Sequence, residues 1–323
     1  MAPHPHHDRP ALSGPAPITS ADIAELNTLF SDAFTERYRR DGLVGVRVPP
    51  LNPAIWRYAI DGAGSGAMLW RDEVGAIAAF NIAHASGAEG WMGPLAVRQD
   101  RQGAGQGKGI VQAGVAHLRG RGCRTIGLET MPRTVDNIGF YAGIGFVPGF
   151  LTVTITLESS AVSRVQGLLS EVGSASRETA IAECAALAGQ LSPGADYSRE
   201  IRLTHELGLG DTLLVRQRDQ LVGFVVCHAA PLVEGRTRDE LRVLKLVADD
   251  HAVFVSMLPM LTALARRSAT MRVALRMQGE HREAFRDTVA AGGRVRWTDL
   301  RMTLDGYPQQ VPAGGVLLSN WEI

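Results

Sequence analysis

Apolar residues recur along the chain at two spacings. A spacing of three to four residues predicts helices, and alternation at every second residue predicts strands. Thr19 and Asp22 have the spacing of a capping box, which predicts the start of a helix. Asn52 followed by Pro53 predicts a second helix start, since proline is tolerated in the first turn. The apolar positions of the first helix recur at helical spacing, at Ile23, Leu26, Phe30, Ala33 and Phe34.

The next part of the chain alternates short apolar runs with helical segments. We predict a helix from the glycine-rich loop to about residue 121, and a short helix that carries Asn137 and Tyr141. This order predicts an α/β fold, with a mixed sheet covered by helices on both faces. The predicted strands are 67–70, 76–83, 91–97, 125–131 and 150–157.

The same order of elements recurs about 147 residues later, which indicates an internal duplication. The end of the chain, 312–323, is apolar and is expected to pack as an added strand. We therefore predict two mixed-sheet domains in tandem, at 18–158 and 178–323. A disordered tail (1–17) and a Ser-, Gly- and Ala-rich linker (159–177) complete the division. The elements of the second copy are a hairpin at 213–227, a strand at 241–247, a helix at 253–266, a strand at 271–277, a helix at 281–290 and strands over 295–304.

Composition narrows the class of protein. The 323 residues carry 33 basic and 33 acidic side chains, so neither nucleic acid nor an anionic membrane is indicated as a partner. The three cysteines are odd in number and widely spaced, which is typical of a reducing cytoplasm rather than of a disulfide scaffold or a zinc site. No apolar run approaches the ~18 residues of a membrane span, and no signal peptide is evident.

The segment from Val97 to Gly109 contains four alternating glycines between a strand and a helix. Such a loop lets backbone N–H groups converge on a phosphate, next to the positive end of the helix dipole. A P-loop is excluded, because glycine is missing at Gln102 and serine or threonine at Gly109. The dinucleotide fingerprint GxGxxG is excluded because Lys108 or Ile110 occupies its third glycine.

The run Gln102-Gly103-Ala104-Gly105-Gln106-Gly107 resembles the pyrophosphate loop of the GNAT superfamily of acyl-CoA N-acyltransferases. A second segment strengthens the resemblance: Asn137, then Tyr141 four residues on, then Gly145-Phe146. The two segments are separated by room for one helix and one strand, as in that family. Since each motif alone is weak, the inference depends on their order and distance.

The resemblance implies a set of site residues for acetyl-CoA. The backbone at Leu95, Ala96 and Val97 would pair with the pantetheine arm, and Asn137 would contact a pantetheine amide or cap its helix. Tyr141 would be the general acid for the departing thiolate, with a core role as the alternative. The loop residues that would bind the pyrophosphate are Gln102, Gly103, Ala104, Gly105, Gln106, Gly107, Lys108 and Gly109.

The general base has several candidates, because an alkylammonium must lose a proton before it attacks. Glu129 is the first choice. It lies on the predicted strand next to 91–97, which would bind the pantetheine arm, and a partly buried carboxylate there would have a raised pKa. An ion pair is its alternative role. Glu89, His84 or ordered water are the other candidates. Trp91 and Trp70 either line the substrate pocket or belong to the core.

The second copy lacks the chemistry-bearing motifs. Its loop, 248–252, has no glycine, and Asp249 and Asp250 would repel a pyrophosphate. We therefore expect that it does not bind acetyl-CoA. It could instead close the substrate cleft, bind a second ligand or form the face of a homodimer. Asp249, Asp250 and His251 are expected to be a polar turn, so no metal site is predicted.

Together these observations predict a cytoplasmic tandem N-acetyltransferase that transfers an acetyl group from acetyl-CoA to a primary amine of a small molecule. Direct attack is expected, because no cysteine lies in the motif region. One alternative is an acyl-CoA-binding sensor without turnover, and another is an acetyltransferase acting on protein N-termini or lysines. A nucleotide-binding protein is a third possibility, and it predicts stabilisation by ATP or NAD rather than by coenzyme A.

Overall fold

The computed structural model describes residues 11–103, 105–163, 165–312 and 314–321. Their α-helices are α1 (Ile23–Arg40), α2 (Pro53–Ala63), α3 (Gln106–Gly120), α4 (Val135–Ala142), α5 (Ser174–Leu191), α6 (Ser198–Glu206), α7 (His251–Arg267) and α8 (Arg282–Ala290). Their strands are β1 (Ser13–Pro17), β2 (Ala67–Arg71), β3 (Ile77–Ser86), β4 (Glu89–Val97), β5 (Thr125–Thr130), β6 (Phe146–Glu158), β7 (Gly210–Gln217), β8 (Gln220–His228), β9 (Glu240–Ala248), β10 (Arg272–Gln278), β11 (Arg294–Leu304) and β12 (Val316–Ser319).

The first two helices begin where the sequence signals predict. The Thr19 N–H donates to the Asp22 carboxylate at 2.8 Å, which is half of the capping box ahead of α1. The Asn52 side chain accepts a hydrogen bond from the Ala54 N–H at 3.0 Å, and Pro53 occupies the first turn of α2. Both predicted helix starts are confirmed.

Two predicted boundaries need correction. Ser13–Pro17 form β1, which pairs antiparallel with β2 and places Ala16 opposite Leu69. Disorder over 1–17 is therefore wrong for these residues, because an edge strand can be held by backbone pairing without an alternating apolar pattern. The linker predicted over 159–177 is also shorter than expected, since α5 already begins at Ser174. The tail histidines His4, His6 and His7, which are expected to be solvated and whose alternative role is metal binding, lie outside the described residues.

All the described strands belong to one mixed sheet. Its order is β1-β2-β3-β4-β5-β11-β6-β10-β9-β8-β7, and β12 pairs with β9. The predicted mixed α/β fold is confirmed. The two halves nevertheless share this sheet, because β11 lies between β5 and β6: Leu300 is opposite Thr130, and Thr298 is opposite Val153. The sequence prediction had placed β6 and β11 in separate sheets.

Two parallel strands of the first half diverge at the centre of the sheet. β4 and β5 pair only from Glu89 opposite Thr125 to Met92 opposite Leu128. Beyond Met92, no described strand pairs with the β5 side of β4. A bulge in the pairing with β3 falls at the same place, where Gly93 has a φ of +152° that favours glycine. The last residues of β4 therefore present an open backbone edge.

The corresponding strands of the second half also diverge, but there the gap is filled. β9 and β10 pair only from Glu240 to Arg242. The remaining end of β9 pairs antiparallel with β12, with Ser319 opposite Lys245 and Val316 opposite Ala248. The prediction that the end of the chain packs as an added strand is confirmed, and this strand fills the edge that β9 would otherwise leave open.

Each half of the chain has a hydrophobic core that includes a strand adjoining the other half. Met302 and Leu304 of β11 are buried with α3, β4 and β5 of the first half. Ile155 and Leu157 of β6 are buried in the core of the second half, against α7 and β10. Each half therefore completes the core of the other, and the shared sheet positions residues of both halves around one central cavity.

Candidate active site

The glycine-rich loop turns sharply and delivers the chain into α3. Gly103 and Gly105 have φ values of +78° and +75°, a left-handed conformation that disfavours L side chains. The Gln102 side chain donates to the Val97 carbonyl at 2.8 Å and ties the loop to the end of β4. Lys108 is exposed in the first turn of α3. The loop therefore presents an exposed cation and the positive end of a helix dipole; Ala104 lies outside the described residues.

The second motif forms α4, packed beside this loop. A side chain at Gly107 would place its Cβ 3.3 Å from the Phe140 ring, so glycine permits the close approach of α3 and α4. The Tyr141 ring lies 6.0 Å from that of Phe146, centroid to centroid. Burial raises the pKa of Tyr141 to about 12, so the phenol is protonated at neutral pH.

A cavity of about 410 Å³ lies between the diverging ends of β4 and β5. The sequence-predicted residues Leu95, Trp91, Glu129, Asn137 and Tyr141 all line it. The second half contributes lining residues that the sequence did not predict, which are Leu232, Val233, Glu240, Arg242, Ala274, Arg276, Asp299, Asn320 and Trp321. The cavity is therefore closed by both halves of the chain. Its volume is in the range of small-molecule sites.

Glu129 is held by two arginines of the second half. Its carboxylate accepts hydrogen bonds from Arg301 Nε at 2.7 Å and from Thr152 Oγ1 at 2.6 Å, and it pairs with Arg276. Burial alone would raise the pKa of Glu129, but the charges of Arg276 and Arg301 lower it to about 2. The expectation of a raised pKa is therefore wrong, and a carboxylate with this pKa is a weak base.

The alternative base candidates lie outside this cavity. The Tyr197 hydroxyl donates to Glu89 Oε2 at 2.6 Å, so Glu89 is engaged in a buried hydrogen bond. His84 faces a second, smaller cavity instead. Trp91 lines the large cavity and also stacks under the Arg301 guanidinium at 4.3 Å, whereas Trp70 belongs to the core around α3.

At the corresponding loop of the second half, a protein carboxylate caps the following helix. The Asp250 carboxylate accepts a hydrogen bond from the Val253 N–H at 2.7 Å and so caps the start of α7. His251 Nε2 lies 2.6 Å from an Asp287 carboxylate oxygen. A protein carboxylate thus occupies the helix end that would bind a phosphate. Among the described residues, no group of three or more His, Cys, Asp or Glu side chains could hold a metal ion.

Residues 25–146 match the family model described as the Acetyltransferase (GNAT) family. The first half contains a GNAT-family acetyltransferase domain. Acyl transfer from acyl-CoA is the general activity of that family. The match does not extend to the second half, so the degenerate second copy remains a prediction.

Solved structures share the fold over most of this chain. A GCN5-related N-acetyltransferase from Sphaerobacter thermophilus is 14% identical, with a TM-score of 0.60 and coverage of 92% of this chain and 96% of that one. A tandem GNAT protein from the clavulanic acid biosynthesis pathway is 12% identical, with a TM-score of 0.57 and coverage of 93% and 99%. N-myristoyltransferase from Saccharomyces cerevisiae, with bound myristoyl-CoA, is 10% identical, with a TM-score of 0.65 and coverage of 96% and 86%.

A search of curated protein sequences finds no match. In the described part of the chain, no helix has the length and hydrophobicity needed to cross a bilayer.

Proposed function

We propose that this protein transfers an acetyl group from acetyl-CoA to a primary amine of a small molecule by direct attack. The observation that carries the proposal is that Tyr141, Asn137 and the open edge of β4 beyond Met92 border one cavity. An acyl donor and a proton donor for its leaving sulfur would therefore meet in a single enclosed space.

The loop fits the diphosphate of coenzyme A. Gly103 and Gly105 adopt left-handed backbone, and the first turn of α3 has N–H groups without helical partners. Gln102 to Gly109 would bind the diphosphate, with Lys108 as an added cation. The open backbone of Leu95 to Val97 would bind the pantetheine arm as an added strand does. Acetyl-CoA supplies the activated acyl group.

Tyr141 is suited to protonate the leaving sulfur. Its pKa of about 12 is above the ~8.5 of a thiol in water, so it keeps its proton until a thiolate develops. The thiol of coenzyme A would also have a raised pKa in the same buried cavity, because burial disfavours its thiolate. The difference between its pKa and that of Tyr141 is therefore smaller than in water. Cys123, Cys184 and Cys227 are buried outside the cavity, which supports direct attack over a covalent cysteine intermediate.

The acceptor side of the cavity favours a small amine with an apolar body. Phe30, Phe34 and Tyr38 of α1 form one wall, and Trp321 lies among the lining residues of the second half. Aromatic faces attract a cationic amine and pack against an apolar body. The cavity of about 410 Å³ must hold the acceptor beside the thioester end of the donor, which suits a metabolite better than a folded protein surface.

The proton balance of the reaction defines what the chain must do. The acceptor ammonium first loses one proton, and its nitrogen then forms the C–N bond as the C–S bond breaks. Tyr141 gives its proton to the sulfur and is reprotonated by the second proton from the nitrogen. One proton is released to solvent for each amide formed.

Ligand-induced thermal shifts test the donor assignment. Acetyl-CoA and coenzyme A should raise the melting temperature, and ATP and NADH should not. Release of free thiol should then be measured across a panel of primary amines, with Tyr141→Phe as the matched variant. We expect this variant to lose about 100-fold or more in kcat while keeping the thermal shift.

Each alternative function predicts a different result. A thermal shift with coenzyme A but no thiol release with any amine would favour an acyl-CoA sensor. Thiol release with peptides but not with small amines would favour a protein N-terminal or lysine acetyltransferase. Stabilisation by ATP or NADH alone would refute the proposal.

A further inference from the structure

A second, smaller cavity lies beside the candidate active site and is built by both halves of the chain. Its volume is about 30 Å³. His84 and Ser86 of β3 line it from the first half, and Glu200 of α6 and Lys245 of β9 line it from the second. Tyr58 of α2 completes the polar wall. Nothing in the function proposed above uses this group of titratable side chains.

Two buried polar atoms of this cavity have no hydrogen-bond partner among the described residues. They are Nε2 of His84, whose residue is 8% exposed, and Oε2 of Glu200, whose residue is 9% exposed. The other Glu200 oxygen accepts a hydrogen bond from the Ser86 hydroxyl. A cavity of this size holds about two water molecules, and water bound to several polar groups satisfies them. The cavity is therefore suited to hold ordered water between His84 and Glu200.

Lys245 is the most unusual group at this site. It is one of two lysines in the chain, is 1% exposed, and has its Nζ 3.0 Å from the centroid of the Trp321 ring. Burial lowers the pKa of Lys245 to about 7, although nearby carboxylates, Glu200 first, oppose the change. The titratable and charged groups that face it are Glu200, Glu89, Glu129, Arg301, His84 and Tyr197.

The small cavity is connected to the large one by shared residues. Asn320 and Trp321 line both cavities, and Lys245 Nζ donates to the Asn320 carbonyl at 3.1 Å. The His84 ring interacts with the Gly93 backbone, and Gly93 lines the large cavity at the bulge of β4. Burial first, and then the charge of Lys245, lower the pKa of His84 to about 4. The imidazole is therefore neutral, and its Nε2 can accept a hydrogen bond from water.

We propose that the second half supplies the proton acceptor of the reaction: water in the small cavity, held by His84 and Glu200, passes the proton of the acceptor ammonium to Lys245. This inference rests on the proposed acetyl transfer. His84, Glu200 and Lys245 act through water and do not touch the reacting atoms, so they are positioning residues.

The transfer balances in protons and electron pairs. One N–H bond of the acceptor ammonium breaks, and its electron pair stays on nitrogen as the nucleophile. The proton moves through water, and a new N–H bond forms on the neutral Lys245 amine. Lys245 returns this proton to solvent before the next turnover, which accounts for the one proton released per amide.

The protonation of Lys245 can be measured without any turnover. Protein labelled with 13C at the lysine Cε gives two signals, because the chain has two lysines. Lys245→Met removes one signal and so assigns it. We expect the Lys245 signal to titrate near pH 7. A Lys245 midpoint above pH 9 would overturn the proposal.

Kinetic pH profiles then test the role in the reaction. In the wild-type protein kcat/KM should rise with a midpoint near pH 7. Lys245→Met should reduce it about 100-fold at pH 7.5, and the difference should disappear near pH 10, where the acceptor amine loses its proton in water. If Lys245→Met lowered kcat/KM only by damaging the structure, the reduction would persist at pH 10. Lys245→Arg should fail as Lys245→Met does, because a guanidinium does not give up its proton.

Matched variants separate the proton path from general damage. Glu200→Gln and His84→Gln should reduce kcat/KM at pH 7.5 with an unchanged thermal shift on acetyl-CoA binding. His117→Gln is the control, because His117 is partly buried and lies outside both cavities. It should keep the wild-type pH profile.

The two proposals fail in distinguishable ways. If the acetyl transfer is wrong, neither the wild type nor any variant releases thiol with any amine. If only the proton path is wrong, the wild type turns over and Lys245→Met retains its rate and its pH profile.

Discussion

Replacing Glu129 by glutamine should destabilise the protein strongly, because it removes the anion that pairs with both buried arginines and leaves only Asp299, at 3.0 Å from Arg276, to compensate them. Arg301 is 1% exposed on its side chain and Arg276 is 8% exposed, so neither guanidinium is solvated in place of the lost pair. Glutamine keeps the shape of the side chain. The change in the free energy of unfolding therefore measures the loss of the carboxylate charge rather than the loss of side-chain volume.

Two routes give the same magnitude. Breaking a buried ion pair by removing one partner costs about 3–5 kcal/mol. Independently, lowering the pKa of Glu129 from 4.5 to about 2 corresponds to about 3 kcal/mol of folding free energy. Because this pKa is lowered in the folded state, the contribution is complete above pH 4.5 and is lost as the pH falls towards 2.

The assay is equilibrium unfolding in urea, followed by far-UV circular dichroism at pH 7 and at pH 3. Glu129→Gln should lose about 3 kcal/mol at pH 7 and less at pH 3. The control is Asp32→Asn, since the pair of Asp32 with Arg47 is exposed and should change stability by less than about 1 kcal/mol.

One outcome would refute this account of Glu129. If Glu129→Gln unfolds at the wild-type urea concentration but has lost its acetyl-transfer rate, the carboxylate acts in the chemistry rather than in the ion pair. Its candidacy as the general base would then be restored, and the reaction would no longer need the proton path through Lys245.

Two further predictions concern the two loops. Gly105→Val should weaken acetyl-CoA binding about 10-fold in a calorimetric titration, because a left-handed backbone costs an L residue about 1–2 kcal/mol; Gly120→Ala, at the open end of the same helix, should leave affinity unchanged. Asp250→Ala should lower the free energy of unfolding by about 1 kcal/mol through loss of the α7 cap and leave acetyl-CoA affinity intact. Altered affinity in that variant would contradict the assignment of the second loop as structural.

Local features of the site could be predicted from the sequence because they are encoded over a few residues. The capping signals of α1 and α2, the glycines at 103 and 105, and the spacing of Asn137 and Tyr141 each depend on near neighbours. The structure places both motif residues at the same cavity. Their chemical roles stay predictions, since geometry without a bound ligand does not test them.

The remaining features depend on residues far apart in the sequence. Arg276 and Arg301 meet Glu129 across separations of 147 and 172 residues, and no local pattern indicates which charges will pair. The position of β11 between β5 and β6 is likewise a choice of strand order, which alternation does not encode. Lys245 did leave a signal: it stands between Leu244 and Leu246 in a predicted strand, and a buried cation there is unfavourable unless the site uses it.

The insertion of β11 also determines when the protein becomes complete during synthesis. Until residues 294–304 have left the ribosome, the β5 edge beside the large cavity has no β11 to cover it. A nascent first half would thus contain the glycine-rich loop and the Asn137–Tyr141 motif. It would lack Arg276 and Arg301, which pair with Glu129, and the residues of the second half that line the large cavity. A fragment that ends at the linker should accordingly be insoluble. When the two halves are co-expressed as separate fragments, activity should be recovered only if the second fragment supplies β11 to pair with β5 of the first.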